Sequence, residues 1–134
     1  MNVVNRCLKP GGIAFIHTIG SNRSITSGNP WSDKYIFPNG MLPSITQLGE
    51  AMEEKFVMED WSNFGSYYDS TLLAWHKNFN DAWLQLENKY GECFKRMWDY
   101  YLLSSAGGFR SSSQQLWQIV MTRRDTPQPE CRFV

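Results

Sequence analysis

Residues 8–21 constrain the fold most. Leu8-Lys9-Pro10-Gly11-Gly12 reads as a tight turn. Proline fixes its own φ and disfavours helix in the residue before it, and the paired glycines take positive φ at little cost. The turn leads into Ile13-Ala14-Phe15-Ile16, an apolar run with no alternation, which predicts a strand over 13–19. Such a run suits a strand covered on both faces, as in a parallel sheet between helices. The strand ends on His17 and then a Gly20-Ser21 turn. In open α/β sheets, ligands bind beyond the carboxyl ends of the strands, so a titratable ring there stands where chemistry commonly occurs. By placement alone, a lone histidine is more often a hydrogen-bonded structural residue.

Residues 1–8 read as the end of a helix, with Val3, Val4 and Leu8 on one face. Residues 20–43 are rich in Asn, Ser, Gly and Pro, yet interleave Trp31, Tyr35, Ile36, Phe37, Met41 and Leu42. That pattern predicts an ordered flap rather than a loose loop. Ser44 and Gln47 have capping-box spacing and open a helix to about residue 54. A strand follows over 56–64. Asp69 is expected to cap a longer helix carrying the stripe Leu72, Trp75, Phe79, Trp83, Leu86 and Tyr90. Gly91 interrupts it, and a second stripe runs through Phe94, Met97, Trp98, Tyr101 and Leu102 to a C-cap at Gly107-Gly108. A last strand covers 114–122, and the proline-containing tail beyond reads as loose. Strand, helix, strand, helical pair, strand is half of an α/β sheet. No GxGxG-type cofactor loop and no early βαβ unit precede it.

Lys plus Arg and Asp plus Glu number 13 each, and no basic run is long enough for a nucleic-acid or headgroup patch. The three cysteines, Cys7, Cys93 and Cys131, form no CxxC pair, which argues against a disulfide framework or zinc site and fits a reducing compartment. With no span-length apolar run and no signal-peptide core, a cytoplasmic protein is expected. Glu59 and Asp60 adjoin in sequence and are expected to face opposite sides of a strand. His76 reads as a solvent-facing helical residue, and Tyr68 as packing. An apolar strand left at a sheet edge pairs with another chain, so a homodimer or exchanged oligomer is expected.

Several stretches together carry a resemblance. They are Leu8-Lys9-Pro10-Gly11-Gly12 with the strand ending His17-Thr18-Ile19-Gly20-Ser21, the run Lys34–Gly40, Glu59–Leu72, Phe94-Lys95-Arg96-Met97, Ala106–Arg110 and Leu116-Trp117-Gln118. In this order the chain resembles the cyclopropane-fatty-acyl-phospholipid synthases over nearly its whole length. The resemblance implies an α/β fold. Residues 1–134 would be the C-terminal half of a class I S-adenosylmethionine-dependent methyltransferase (Rossmann-like) sheet with an inserted helical pair. The cofactor-binding half would lie upstream. It implies transfer of a methylene from S-adenosylmethionine to a cis double bond of phospholipid acyl chains, through a carbocation that loses a proton. By resemblance, His17 and Tyr68 are catalytic, and with the Ile19 backbone they contact a bicarbonate taken to be the base. No cofactor-binding or metal-binding residue is assigned within this chain. The resemblance places the protein in the cytoplasm, peripheral to the inner membrane face, and implies that the segment is inactive alone. A methyltransferase of the same fold for another apolar acceptor, and a non-catalytic lipid-binding remnant, are the alternatives.

Overall fold

The computed structural model describes residues 1–130; Cys131, one of the three cysteines read above, lies outside the described residues. The chain forms two compact units, one from Met1–Phe64 with the segment from Gln115 on, the other from Gly65–Gln114.

The first unit holds α1 (Asn2–Cys7), β1 (Ile13–Ser21), α2 (Pro30–Tyr35), α3 (Ile45–Met52), β2 (Phe56–Asn63) and β3 (Gln114–Arg123). The strands lie in the order β1-β3-β2, so the last strand in sequence is the central one. β2 runs antiparallel to β3, with Phe56 opposite Arg123 and Asn63 opposite Trp117. Trp117, Ile119 and Met121 alternate along β3 and therefore share one face. With Ala14, Leu48, Met52 and Phe56 they form the core. The Trp61 ring meets Trp117 edge-on at 5.2 Å. Gly20 is required by close approach: a Cβ there would lie 2.1 Å from the Trp117 ring.

β1 does not have both faces covered in this chain. Ala14 is buried and Ile16 packs on the core, while Ile13 and Phe15 are 50% and 57% exposed. The core on one face is built with Leu48 and Met52 of α3, Trp117 of β3, and Met1 and Leu8 at the two ends of α1, while Ile13, Phe15 and His17 on the other face are exposed. α2 was not expected, although its start is written in the sequence. Asn29 Oδ1 accepts from the Trp31 and Ser32 amides at 2.9 and 3.4 Å, and Pro30 takes the first helical position. The capping box on α3 is present: the Gln47 amide donates to Ser44 Oγ at 3.1 Å, and the Ser44 amide donates to Gln47 Oε1 at 2.9 Å. The flap is tied back to this cap by Gln47 Nε2 donating to the Ile25 carbonyl and by a 2.7 Å bond between the Ser24 and Ser44 hydroxyls.

The second unit is α4 (Gly65–Asp81) packed on α5 (Trp83–Arg110). The break falls at Ala82, one position before the buried Trp83. α5 bends at Gly91, whose φ of 73° and ψ of 165° are non-helical. Two expectations are corrected here. Asp69 is no N-cap; it lies within α4 and accepts both Nε and Nη2 of Arg110, at 2.9 and 3.1 Å. Gly107-Gly108 does not end α5, which continues to Arg110. The end is instead made by serines: Ser113 donates from both its amide and its hydroxyl to the Gly108 carbonyl, each at 3.0 Å, while Ser112 takes the left-handed φ of 57°.

Candidate active site

The residues assigned to one anion divide between the two units. His17 and Ile19 lie on β1 in the first; Tyr68 lies in the first turns of α4 in the second. His17 and Ile19 are two apart on a strand and share a face, the one that also carries Ile13 and Phe15. The His17 ring is exposed, and its Nδ1 lies 3.3 Å from Gln118 Nε2 on the adjacent strand β3. The Thr18 hydroxyl donates to the Ile19 carbonyl at 3.0 Å. Gly20, against Trp117, belongs to the other face of β1, and the strand runs on through it to Ser21, so His17 stands in mid-strand and not at the strand end and Gly20-Ser21 turn expected.

β2 continues the row of polar groups. Ser62 stands opposite Gln118, and its hydroxyl donates to Asp60 Oδ2 at 2.8 Å. The pairing shifts register between Met58 and Asp60. Asp60 faces Val120, whereas Glu59 accepts a 2.6 Å bond from the Thr122 hydroxyl. Val120 and Thr122 are two apart on β3, so both carboxylates lie on one face of the sheet. The bulge cancels the alternation that was expected to send them to opposite sides. Their partners differ: Glu59 is buried with Thr122, and Asp60 is held by Ser62.

Tyr68 is half-buried among rings. Phe109 meets it edge-on at 4.9 Å and Trp75 at 5.8 Å. Tyr101 is coupled to it: burial, and then the nearby Tyr68 phenol, raise the Tyr101 hydroxyl above its ordinary value. Both effects keep the Tyr101 proton in place, so it remains a donor. Neither Gln118 nor Tyr101 was singled out in the sequence. Gln118 had one available signal, a polar residue inside the otherwise apolar last strand; Tyr101 was read only as part of a stripe.

His76 is also placed differently from expectation. It is half-buried, with Nε2 3.0 Å from Asp99 Oδ1. Lys95 bridges the same carboxylate at 2.7 Å and Asn80 Oδ1 at 2.9 Å. Burial, the largest influence, opposes ionisation of Asp99. The Lys95 hydrogen bond and charge, the Asn80 hydrogen bond and the His76 charge outweigh it and hold the carboxyl below its ordinary value.

A cavity of about 370 Å³ lies elsewhere, lined by Arg6, Lys55, Arg123 and Arg124 with Asn5, Glu54 and Asp125. Arg123 there donates to the Leu8 carbonyl, ahead of the start of β1, so this cavity is at the far end of the strand from Ile19.

The family described as mycolic acid cyclopropane synthetase matches residues 1–119. The cyclopropane-fatty-acyl-phospholipid synthase of Escherichia coli K12 is 53% identical over 121 residues, covering 90% of this chain and 32% of that protein. The chain thus spans about a third of the length of that relative. Among solved structures, the cyclopropane synthase MmaA2 from Mycobacterium tuberculosis superposes with a TM-score of 0.78 at 19% identity, covering 88% of this chain and 46% of that one. The mycolic acid cyclopropane synthase CmaA1 complexed with SAH and CTAB gives 0.76 at 23% identity, covering 87% and 46%. These likenesses establish the fold as that of the cyclopropane synthase methyltransferases, of which the two units here supply the C-terminal, Rossmann-like half.

Proposed function

Because the chain belongs to the mycolic acid cyclopropane synthetase family, we propose that residues 1–134 are the C-terminal portion of one S-adenosylmethionine-dependent methyltransferase domain. Its task would be methylene transfer to the cis double bonds of phospholipid acyl chains. The carrying observation is the family match over residues 1–119, which spans both His17 and Tyr68. S-adenosylmethionine, when bound, supplies the one-carbon unit. The 134 residues contain no glycine-rich strand-loop of the kind that cradles it, so its adenosine site is assigned to the part of the relatives this chain does not span.

The residues that are present suit the other half of the reaction. An imidazole N–H and a phenol O–H are donors, and such a pair fits a small anion such as bicarbonate. We assign His17, the Ile19 backbone and Tyr68 to hold it as the base. Neutral donors do this without placing a side-chain charge beside an acyl chain. The rings about Tyr68, which are Trp75 and Phe109, supply apolar faces that exclude water and favour a nearby cation. The flap aromatics are assigned to the acyl tunnel. Among the described residues no helix is long and apolar enough to cross a membrane. Contact with the inner membrane face is therefore proposed to be peripheral, through exposed side chains such as Tyr67 and Leu84.

Fusing the chain to the upstream part of the E. coli relative, and measuring unsaturated phospholipids by mass spectrometry, tests this reading. One methylene should be gained, and His17→Ala and Tyr68→Phe should each slow the gain on the order of 100-fold. Full activity in both variants would refute the assignment. β1 is an edge strand with Ile13 and Phe15 exposed, which supports a homodimer of the chain by itself. Light scattering should read twice the chain mass, and a monomer at high concentration would count against pairing.

A further inference from the structure

We propose that Gln118 is a positioning residue for His17: its side-chain amide fixes the neutral imidazole as the Nε2–H tautomer. The inference deepens the reading of His17 as an anion contact and takes its purpose from that reading. Its test does not depend on it.

Gln118 Nε2 lies 3.3 Å from His17 Nδ1. With the amide placed nitrogen-first toward the ring, Gln118 donates and Nδ1 accepts. A neutral imidazole with Nδ1 accepting carries its proton on Nε2, because the bond made by one ring nitrogen sets the state of the other. His17 then presents a donor rather than a lone pair, which is the state an anion requires. With no partner on Nδ1, the ring would sample both tautomers, and the minor one turns an acceptor toward the anion.

Gln118 is well placed for this work. It stands on β3, the central strand, held by a neighbour on each side. The residues before and after it, Trp117 and Ile119, are 2% and 0% exposed and anchor the backbone from the opposite face. A side chain projecting from so fixed a strand holds an angle better than one on a loop. The row it stands in is polar from strand to strand: His17 on β1, Gln118 on β3, and Ser62 opposite Gln118 on β2 with its hydroxyl on Asp60. The core function of β3 does not need an amide on this face. Position 118 is therefore free to be chosen for what it does to the histidine.

The ¹⁵N-labelled 134-residue chain at alkaline pH gives a direct readout, since long-range proton–nitrogen correlation shows which ring nitrogen carries the proton. The wild type should show His17 protonated at Nε2. In Gln118→Glu the partner only accepts, so the proton should move to Nδ1 and the two nitrogen shifts should exchange. Gln118→Met keeps the bulk, adds no charge and removes the donor; both tautomers should appear. Titrated with bicarbonate, the wild-type Nε2 signal should shift, and Gln118→Glu should respond about tenfold more weakly, the loss of one hydrogen bond. A ring that stays Nε2–H in both variants overturns the proposal. Inversion in Gln118→Glu with no response to bicarbonate in any form upholds the role of Gln118 and refutes the anion reading of His17 instead.

Discussion

The sheet unit and the helical unit bury comparable rings and aliphatic side chains but hold them by different means. In the sheet unit Trp117, Ile119 and Met121 are all but inaccessible and belong to an apolar core completed by Ala14, Leu48, Met52 and Phe56. In the helical unit Leu72, Leu102, Ala106 and Phe109 are equally deep. There, however, the helix pair is also stitched by ions: Asp99 receives Lys95 and His76, and Asp69 receives Arg110. Apolar burial is insensitive to pH, whereas an ionic stitch is not. The sheet unit therefore carries His17 and Gln118 on a strand pair backed chiefly by apolar packing. The helical unit, which carries Tyr68, is the part whose stability can be tuned by solution conditions.

The largest effect expected from this contrast is at Trp117. Trp117→Ala empties the centre of the sheet core, removes the edge contact with Trp61 and leaves Gly20 facing a void. A cost of about 3–5 kcal/mol is expected, comparable with the whole stability of a small domain. Amide exchange should show protection lost across β1, β2 and β3. Unchanged protection there would mean the sheet core does not rest on this ring. A smaller effect is expected at Gly91, where the helical unit has a backbone rather than a packing constraint. A Cβ there would meet nothing within 4 Å, yet φ is 73° with ψ at 165°. That region is essentially confined to glycine, so Gly91→Ala should cost about 1–3 kcal/mol through strain alone. A neutral result by urea denaturation would show that the bend can straighten.

What was legible in the sequence follows the same division. Features set by neighbouring residues were read correctly: the Ser44–Gln47 capping box, the turn into β1, the interruption at Gly91, and the order of the three strands; the short α2 and the helix break at Ala82, inside a stripe expected to run on to Tyr90, were missed. Features set by partners far away were not. Asp69 has the chemistry of a cap, and only the fold brings Arg110, 41 positions on, within reach of it. Gly107-Gly108 reads as a helix end, but the buried Ala106 and Phe109 carry the helix through. The bulge that puts Glu59 and Asp60 on one face leaves no mark in local composition. Of the site, His17 was singled out at an expected strand end, yet β1 runs on to Ser21 and leaves it in mid-strand; its role comes from the resemblance and not from that placement. Gln118 was not singled out, since its role exists only once β3 inserts beside β1.

The last and smallest effect tests the ionic half of the comparison. Asp99 is held below the ordinary carboxylate value of 3.8 despite its burial, chiefly by Lys95. A carboxylate whose folded pKa is depressed contributes stability that is fully present above its unfolded pKa and is lost as pH falls through the folded one. Asp99→Asn should therefore cost about 1–2 kcal/mol at neutral pH, where it removes charge-assisted bonds from Lys95 and His76. The gap between variant and wild type should narrow as pH falls below about 4, because the wild-type carboxyl is then protonated too. Trp117→Ala should show no such convergence, since the transfer of an indole from water has no proton in it. Urea denaturation of the three proteins at neutral and acid pH reads both slopes. A penalty for Asp99→Asn that stays constant with pH would show that this cluster acts by shape rather than by charge, and the distinction between the two units would then fail.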